Sequence, residues 1–154
     1  MARVGVRRSV SAAAIATALV LLLAACFLLP TPSPGESDSG MSSVDTTAIA
    51  DAITATTPTI TSTSVDTSLD GLTTMLHVGP SVTTSLTAPE LDAVLRVAYA
   101  QSLGQVATIE VRTVDADNRP VDVKAAATEL GIHFLPHVNS VTYSTTTLDT
   151  VYGK

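Results

Sequence analysis

A chain of 154 residues and 15.8 kDa has room for one small folded domain at most. It carries 8 Lys+Arg against 14 Asp+Glu, a formal net charge of -6, and every acid lies beyond residue 35; a body this acidic excludes a nucleic-acid binder that works through phosphate contacts. Aromatic residues make up only 3% of the chain and Trp is absent, so the core has to be aliphatic and modest.

Arg3, Arg7 and Arg8 precede a stretch from Val10 to Leu29 that holds no charge, with Ser11, Thr17 and Cys26 as its only mildly polar side chains. Such a run directs a chain to a membrane. Burying a helix that is apolar on all sides needs a wider interior than a domain of about 100 residues offers. The Lys/Arg flank should stay cytoplasmic and the chain beyond Pro30 should lie on the extracytoplasmic face of the cell membrane. The Arg7-Arg8 pair reads as ordinary charge of the leader. Residues 1–29 are therefore expected to be a signal peptide or a transmembrane anchor.

Within this run, Leu23-Ala24-Ala25-Cys26 resembles the lipobox of bacterial lipoproteins: an apolar residue, two small residues and a cysteine. That resemblance implies cleavage on the amino side of Cys26 and a diacylglycerol on its thiol. It covers four residues of the leader and bears on nothing in the domain. Phe27-Leu28-Leu29 departs from the pattern, because mature lipoproteins usually continue with small or polar residues. With these three included, the apolar run reaches 20 residues, enough to span a bilayer as an uncleaved helix. The expected membrane attachment is thus either a lipidated Cys26 or a spanning helix. In both cases the domain has no disulfide and must be held by packing.

Residues 30–43, which begin Pro30-Thr31-Pro32-Ser33-Pro34-Gly35, have nothing to bury and read as an extended tether. Residues 44–154 then carry the pattern of a small extracytoplasmic domain. Asp45 or Thr46 can cap a short helix with Ile49 and Ile53 on one side, ending before Pro58. Two strands follow, 59–69 and 72–78, around Asp70-Gly71, a pair that favours a type I′ hairpin turn. Pairing Leu69 with Leu72 sets Val65 opposite Leu76 on an apolar face. It sets Asp66 opposite Met75 and Ser64 opposite His77 on a wet one.

Thr87-Ala88-Pro89-Glu90 has capping-box spacing, and Leu91, Val94, Leu95 and Ala98 form an apolar stripe, so the spacing predicts a helix over 88–103 with Gly104 as its stop. Residues 106–114 alternate, with Ala107, Ile109 and Val111 on one side and Thr108, Glu110 and Arg112 on the other. A polar turn at 115–120 leads to a short helix capped by Asp122 and stopped at Gly131. A final strand is expected over 139–147, with Val141 and Tyr143 inward, and a frayed tail from Leu148.

The order helix, strand, strand, helix, strand, helix, strand predicts an α+β open-faced sandwich: a mainly antiparallel sheet with two or three helices on one face. This element order is similar to that of BON-type and other ferredoxin-like small modules. The resemblance implies an envelope domain that binds partners or lipid surfaces, and transfers no residue.

Chemistry-bearing positions are scattered. His133 and His137 have i, i+4 spacing, but Pro136 stands between them and no Glu follows His133, so a helical zinc motif is excluded; a loop site would need a third ligand such as His77. Asp115 and Asp117 start like a calcium loop, yet Arg119 replaces the third ligand. No Ser or Thr sits in a Gly-x-Ser-x-Gly elbow. Asp66 and His77 could approach each other across the hairpin. Glu110 and Arg112 should share the sheet face that lacks helices. Asp92 and Arg96 form an ordinary i, i+4 helix pair. The expectation is a membrane-anchored, extracytoplasmic, non-catalytic interaction module without cofactor or metal, binding an envelope protein. A carrier of an apolar ligand or lipid is the alternative, and a hydrolase around His77 and Asp66 a further one.

Overall fold

The computed structural model describes residues 43–153. The expected membrane segment with Cys26, the tether apart from Ser43, and Lys154 lie outside the described residues. Among the described residues no helix is long and apolar enough to cross a membrane.

Helix α1 (Thr46–Thr54) starts where the sequence supplies an acceptor, since the Ala48 amide donates to Asp45 Oδ1 at 2.9 Å. Its two isoleucines, Ile49 and Ile53, are fully buried. The chain then enters the hairpin of β1 (Ile60–Asp70) and β2 (Thr73–Val82), paired antiparallel. Helix α2 (Ala88–Ser102) carries it to β3 (Thr108–Val111), which pairs in parallel with β2. A break at Arg112 separates β3 from β4 (Thr113–Val114), which stays in the same register against β2. Short β5 (Pro120–Val121) folds back on β4, and α3 (Lys124–Leu130) follows. Strand β6 (Leu135–Pro136) borders β7 (Val141–Ser144), which pairs antiparallel with β3. Helix α4 (Thr145–Tyr152) closes the described chain.

Among the described residues the architecture is the α+β open-faced sandwich expected from the sequence: a mixed, mostly antiparallel sheet of seven strands with four helices. Leu76 and Val78 of β2, Ile109 and Val111 of β3, and Val141 and Tyr143 of β7 point to one face. There they join Ile49 and Ile53 of α1, Leu91, Val94, Leu95 and Ala98 of α2, Ala126 and Ala127 of α3, and Leu148 of α4 in one aliphatic cluster. The parallel β2–β3 step follows from the long helical connection between them, because a tight turn can join only antiparallel neighbours.

Two expectations require correction. The hairpin register is shifted by two residues. Asp70 pairs with Thr73, so the two loop residues are Gly71 and Leu72 rather than Asp70 and Gly71. Gly71 has φ +63° and Leu72 does not share it, the arrangement of a type II′ turn, in which only the first loop position needs a positive φ. Asp70 is then free to stay extended, where its carbonyl accepts from the Thr73 hydroxyl at 2.9 Å. A shift of two preserves the faces but changes the partners: Val65 now faces Val78, and Asp66 faces His77.

The second correction concerns the end of the chain. The strand stops at Ser144, and residues expected as strand and frayed tail form α4. Thr145 is tied to the residue just ahead of β3 by its amide and hydroxyl, both donating to the Ala107 carbonyl at 2.9 Å. From there Leu148 is fully buried, and the half-buried Tyr152 lies one turn on along the same side. Burial of that apolar pair outweighs the strand preference of the threonines around it.

Candidate functional site

The face of the sheet opposite the core carries Ser64, Asp66 and Ser68 from β1, His77 and Gly79 from β2, and Glu110 from β3, with Arg112 at the break before β4. These residues are exposed or half-buried, and on β2 and β3 they alternate with buried ones. Strand pairing sets Asp66, His77 and Glu110 in one row across three strands.

Within this row a hydrogen-bonded chain is formed. Ser68 Oγ lies 2.6 Å from His77 Nε2, His77 Nδ1 lies 2.6 Å from Glu110 Oε2, and the Ser140 hydroxyl donates to Glu110 Oε1 at 2.5 Å. The carboxylate can only accept, so Nδ1 carries the hydrogen it donates to Glu110. In the neutral imidazole Nε2 is then the bare nitrogen, and Ser68 donates its hydroxyl hydrogen to it.

Partial burial pushes the Glu110 carboxyl up, but the hydrogen bonds from Ser140 and His77 outweigh it, aided by the charge of His77 and His137 when those rings are protonated; the net shift is downward. Glu110 is therefore held as a carboxylate, fixed on both oxygens. Ser140 is buried just ahead of β7, with its carbonyl accepting from the His137 amide at 2.9 Å, so its hydroxyl is itself held in place.

Beside His77 the face dips into a concavity of about 320 Å³ lined by Ser64, Asp66, His77, Val78, Gly79, Glu110 and Arg112. A Cβ at Gly79 would stand 2.5 Å from Ser64 Oγ, so a side chain there would turn the serine to another rotamer. Arg112 has no carboxylate within ion-pairing distance among the described residues.

Of the positions singled out in the sequence, Asp66 and His77 are brought directly opposite each other, but the ring bonds to Ser68 and Glu110 instead. Sequence reasoning missed Ser68 and Ser140. Ser68 came into reach only through the two-residue shift in register, and Ser140 through the β3–β7 pairing of strands some 30 residues apart in sequence. The one available signal was that His77 and Glu110 both occupy wet-face positions of strands joined by a helical crossover.

His133 and His137 share no helix; Leu135–Pro136 between them is strand. Asp115 Oδ1 accepts from the Asp117 and Arg119 amides, at 2.8 and 2.9 Å, and so closes its own turn. Among the described residues no group of three His, Cys, Asp or Glu side chains is placed to hold a metal ion. Asp92 pairs with Arg96 at 2.7 Å and also accepts from the Tyr152 hydroxyl at 2.7 Å, while the Arg96 guanidinium sits 4.5 Å from the centre of the Tyr152 ring. That group fastens α4 to α2.

No family model, no curated protein and no solved structure matches the chain.

Proposed function

We propose that this chain is a membrane-anchored module of the cell envelope, held on the extracytoplasmic face through a lipidated Cys26 or a spanning helix, and that its open sheet face is the surface that binds an envelope protein. The observation that carries this reading is the asymmetry of the sheet. Among the described residues all four helices pack into the core on one face, and the other is left with a row of polar side chains whose positions are fixed by strand pairing. A preordered polar surface binds without the entropy cost of ordering long side chains. The acids that dominate the chain beyond residue 35 would steer a partner of opposite charge towards it. The basic leader and the 20-residue apolar run supply the membrane part of the proposal.

Photo-cross-linking in intact cells tests it. A cross-linking side chain at Ser64 or Thr108, on the open face, should capture one discrete protein of the envelope; the same group at Thr128, exposed on α3, should not. Capture from Thr128 alone, or no capture from either open-face position, would overturn the assignment of this face.

A further inference from the structure

The chain Ser68–His77–Glu110 has a geometry that binding does not require. A hydroxyl is within hydrogen-bond distance of one imidazole nitrogen, and the other nitrogen is held by a carboxylate, each at 2.6 Å. These are the relations of a nucleophile, its base and the group that orients the base, and such a constellation is identified by geometry and roles rather than by sequence position. We propose that Ser68 is an activated nucleophile, with His77 as general base and Glu110 as positioning residue, acting on small carboxylic esters. This goes beyond the binding role of the same face.

Three features of the site support the assignment. Glu110 fixes the tautomer, since a carboxylate that accepts from Nδ1 leaves Nε2 bare to take the serine proton. Ser140 fixes Glu110, so the ring cannot follow the carboxylate to another rotamer. Ser68 is exposed, and the concavity on the other side of His77 offers room for a small substituent, with Arg112 in its lining.

The reaction is written as follows. Ser68 Oγ forms a bond to the ester carbonyl carbon while its proton passes to His77 Nε2. The bond from that carbon to the alkoxy oxygen then breaks, and the alcohol departs with the proton from Nε2, leaving the acyl group on Ser68. Water attacks the acyl carbon, gives a proton to Nε2, and the acid departs as that proton returns to Ser68 Oγ. Water is the only co-reactant.

The test uses the full-length protein in native membranes or detergent and an alkyl fluorophosphonate, which transfers its phosphonyl group to an activated serine hydroxyl with loss of fluoride and the serine proton. One adduct per chain, mapped to Ser68 by peptide mass, is expected. Ser68→Ala should abolish it, and His77→Gln should slow it by about 100-fold, in the range typical of general-base catalysis.

The labelling rate should follow a titration that disappears in His77→Gln. The charged and titratable groups facing that ring are Asp66, Glu110 and Arg112, with His137 beside Glu110. Glu110→Gln should slow labelling and displace the inflection, which a merely structural role would not do. The variants are on exposed or half-buried positions, and an unchanged far-UV spectrum would show that they fold. No adduct at Ser68, adducts spread over many hydroxyls, or a rate indifferent to His77→Gln would overturn the proposal, while the cross-linking result stands or falls separately.

Discussion

Among single residues, Glu90 bears the most structural work for its size. One oxygen accepts from its own helix start, the Thr87 amide at 2.8 Å and hydroxyl at 2.9 Å, and the other accepts from Thr57 at 2.8 Å and Thr59 at 2.5 Å. It therefore ties the N-terminus of α2 to the loop between α1 and β1. The hydrogen bond from Thr59, then that from the Thr87 amide, hold its carboxyl down at about 2, against the opposing effect of burial. A folded pKa below the unfolded value gives stability that is complete above about pH 4.5 and lost as pH falls towards 2. Solvent screening of this half-buried group leaves about 1 to 2 kcal/mol. Glu90→Gln should lower stability by that amount at pH 7 in urea unfolding and flatten the acid limb between pH 4.5 and 2; an unchanged acid limb would show that the four hydrogen bonds do not act in solution.

At the scale of elements, α4 shows how tertiary contact decides between two local preferences. Its sequence, Thr145 to Tyr152, is rich in threonine and favours strand, and no tight stop signal follows Ser144. What selects the helix is a set of distant partners. Leu148 enters the core, Tyr152 donates to Asp92 on α2, and Tyr99 of α2 donates to Asp149 at 2.7 Å. The two tyrosine rings meet at 5.9 Å between centroids. Leu148→Ala should cost about 2 to 4 kcal/mol, the range for emptying a fully buried leucine site, and reduce helix content by circular dichroism as α4 detaches. A loss below about 0.5 kcal/mol would mean that α4 contributes little to the fold. The hairpin makes the same point on a smaller scale. Its existence was legible from Gly71 between two alternating segments, and its faces were legible from the alternation. Its register was not, because Asp70-Gly71 suits a type I′ turn with two positive φ and Gly71-Leu72 a type II′ turn with one, and only the pairing of long strands chooses between them.

Across the described residues, a core built mainly from Leu, Ile, Val and Ala holds two buried tyrosines, Tyr99 and Tyr143, of which Tyr143 is fully buried and packs 6.0 Å from the Phe134 ring. Its hydroxyl finds no hydrogen-bond partner among the described residues. Burial pushes this phenol up to about 12. A raised folded pKa gives stability that is complete below about pH 10 and lost as pH rises towards 12, so ionisation of Tyr143 forces the core open in alkali. Tyr152, raised by burial and then by the Asp92 contact, adds to the same limb. Tyr143→Phe should be neutral to about 1 kcal/mol stabilising at pH 7, since it removes an unpaired buried hydroxyl, and should move the alkaline unfolding midpoint to higher pH. Destabilisation by more than about 1 kcal/mol would show that the hydroxyl is paired in solution.

The sequence by itself determined the fold class, the helix starts at Asp45 or Thr46 and at Thr87 with Glu90, the inward and outward faces of the main strands, and the placement of His77, Glu110 and Arg112 on the wet side. These depend on chemistry within a few residues: a cap, a turn glycine, a period of 2.0 or 3.6. Only the tertiary structure decided the parallel step between β2 and β3, the helical end of the chain, and the meeting of Ser68, His77, Glu110 and Ser140. Each of those depends on which distant segments lie side by side. Local alternation says which way a side chain points from its own strand, but it carries no information on the neighbour across the ladder. A hydrogen-bonded chain across β1, β2, β3 and the approach to β7 is therefore a property of strand order and register, the last quantities that folding fixes.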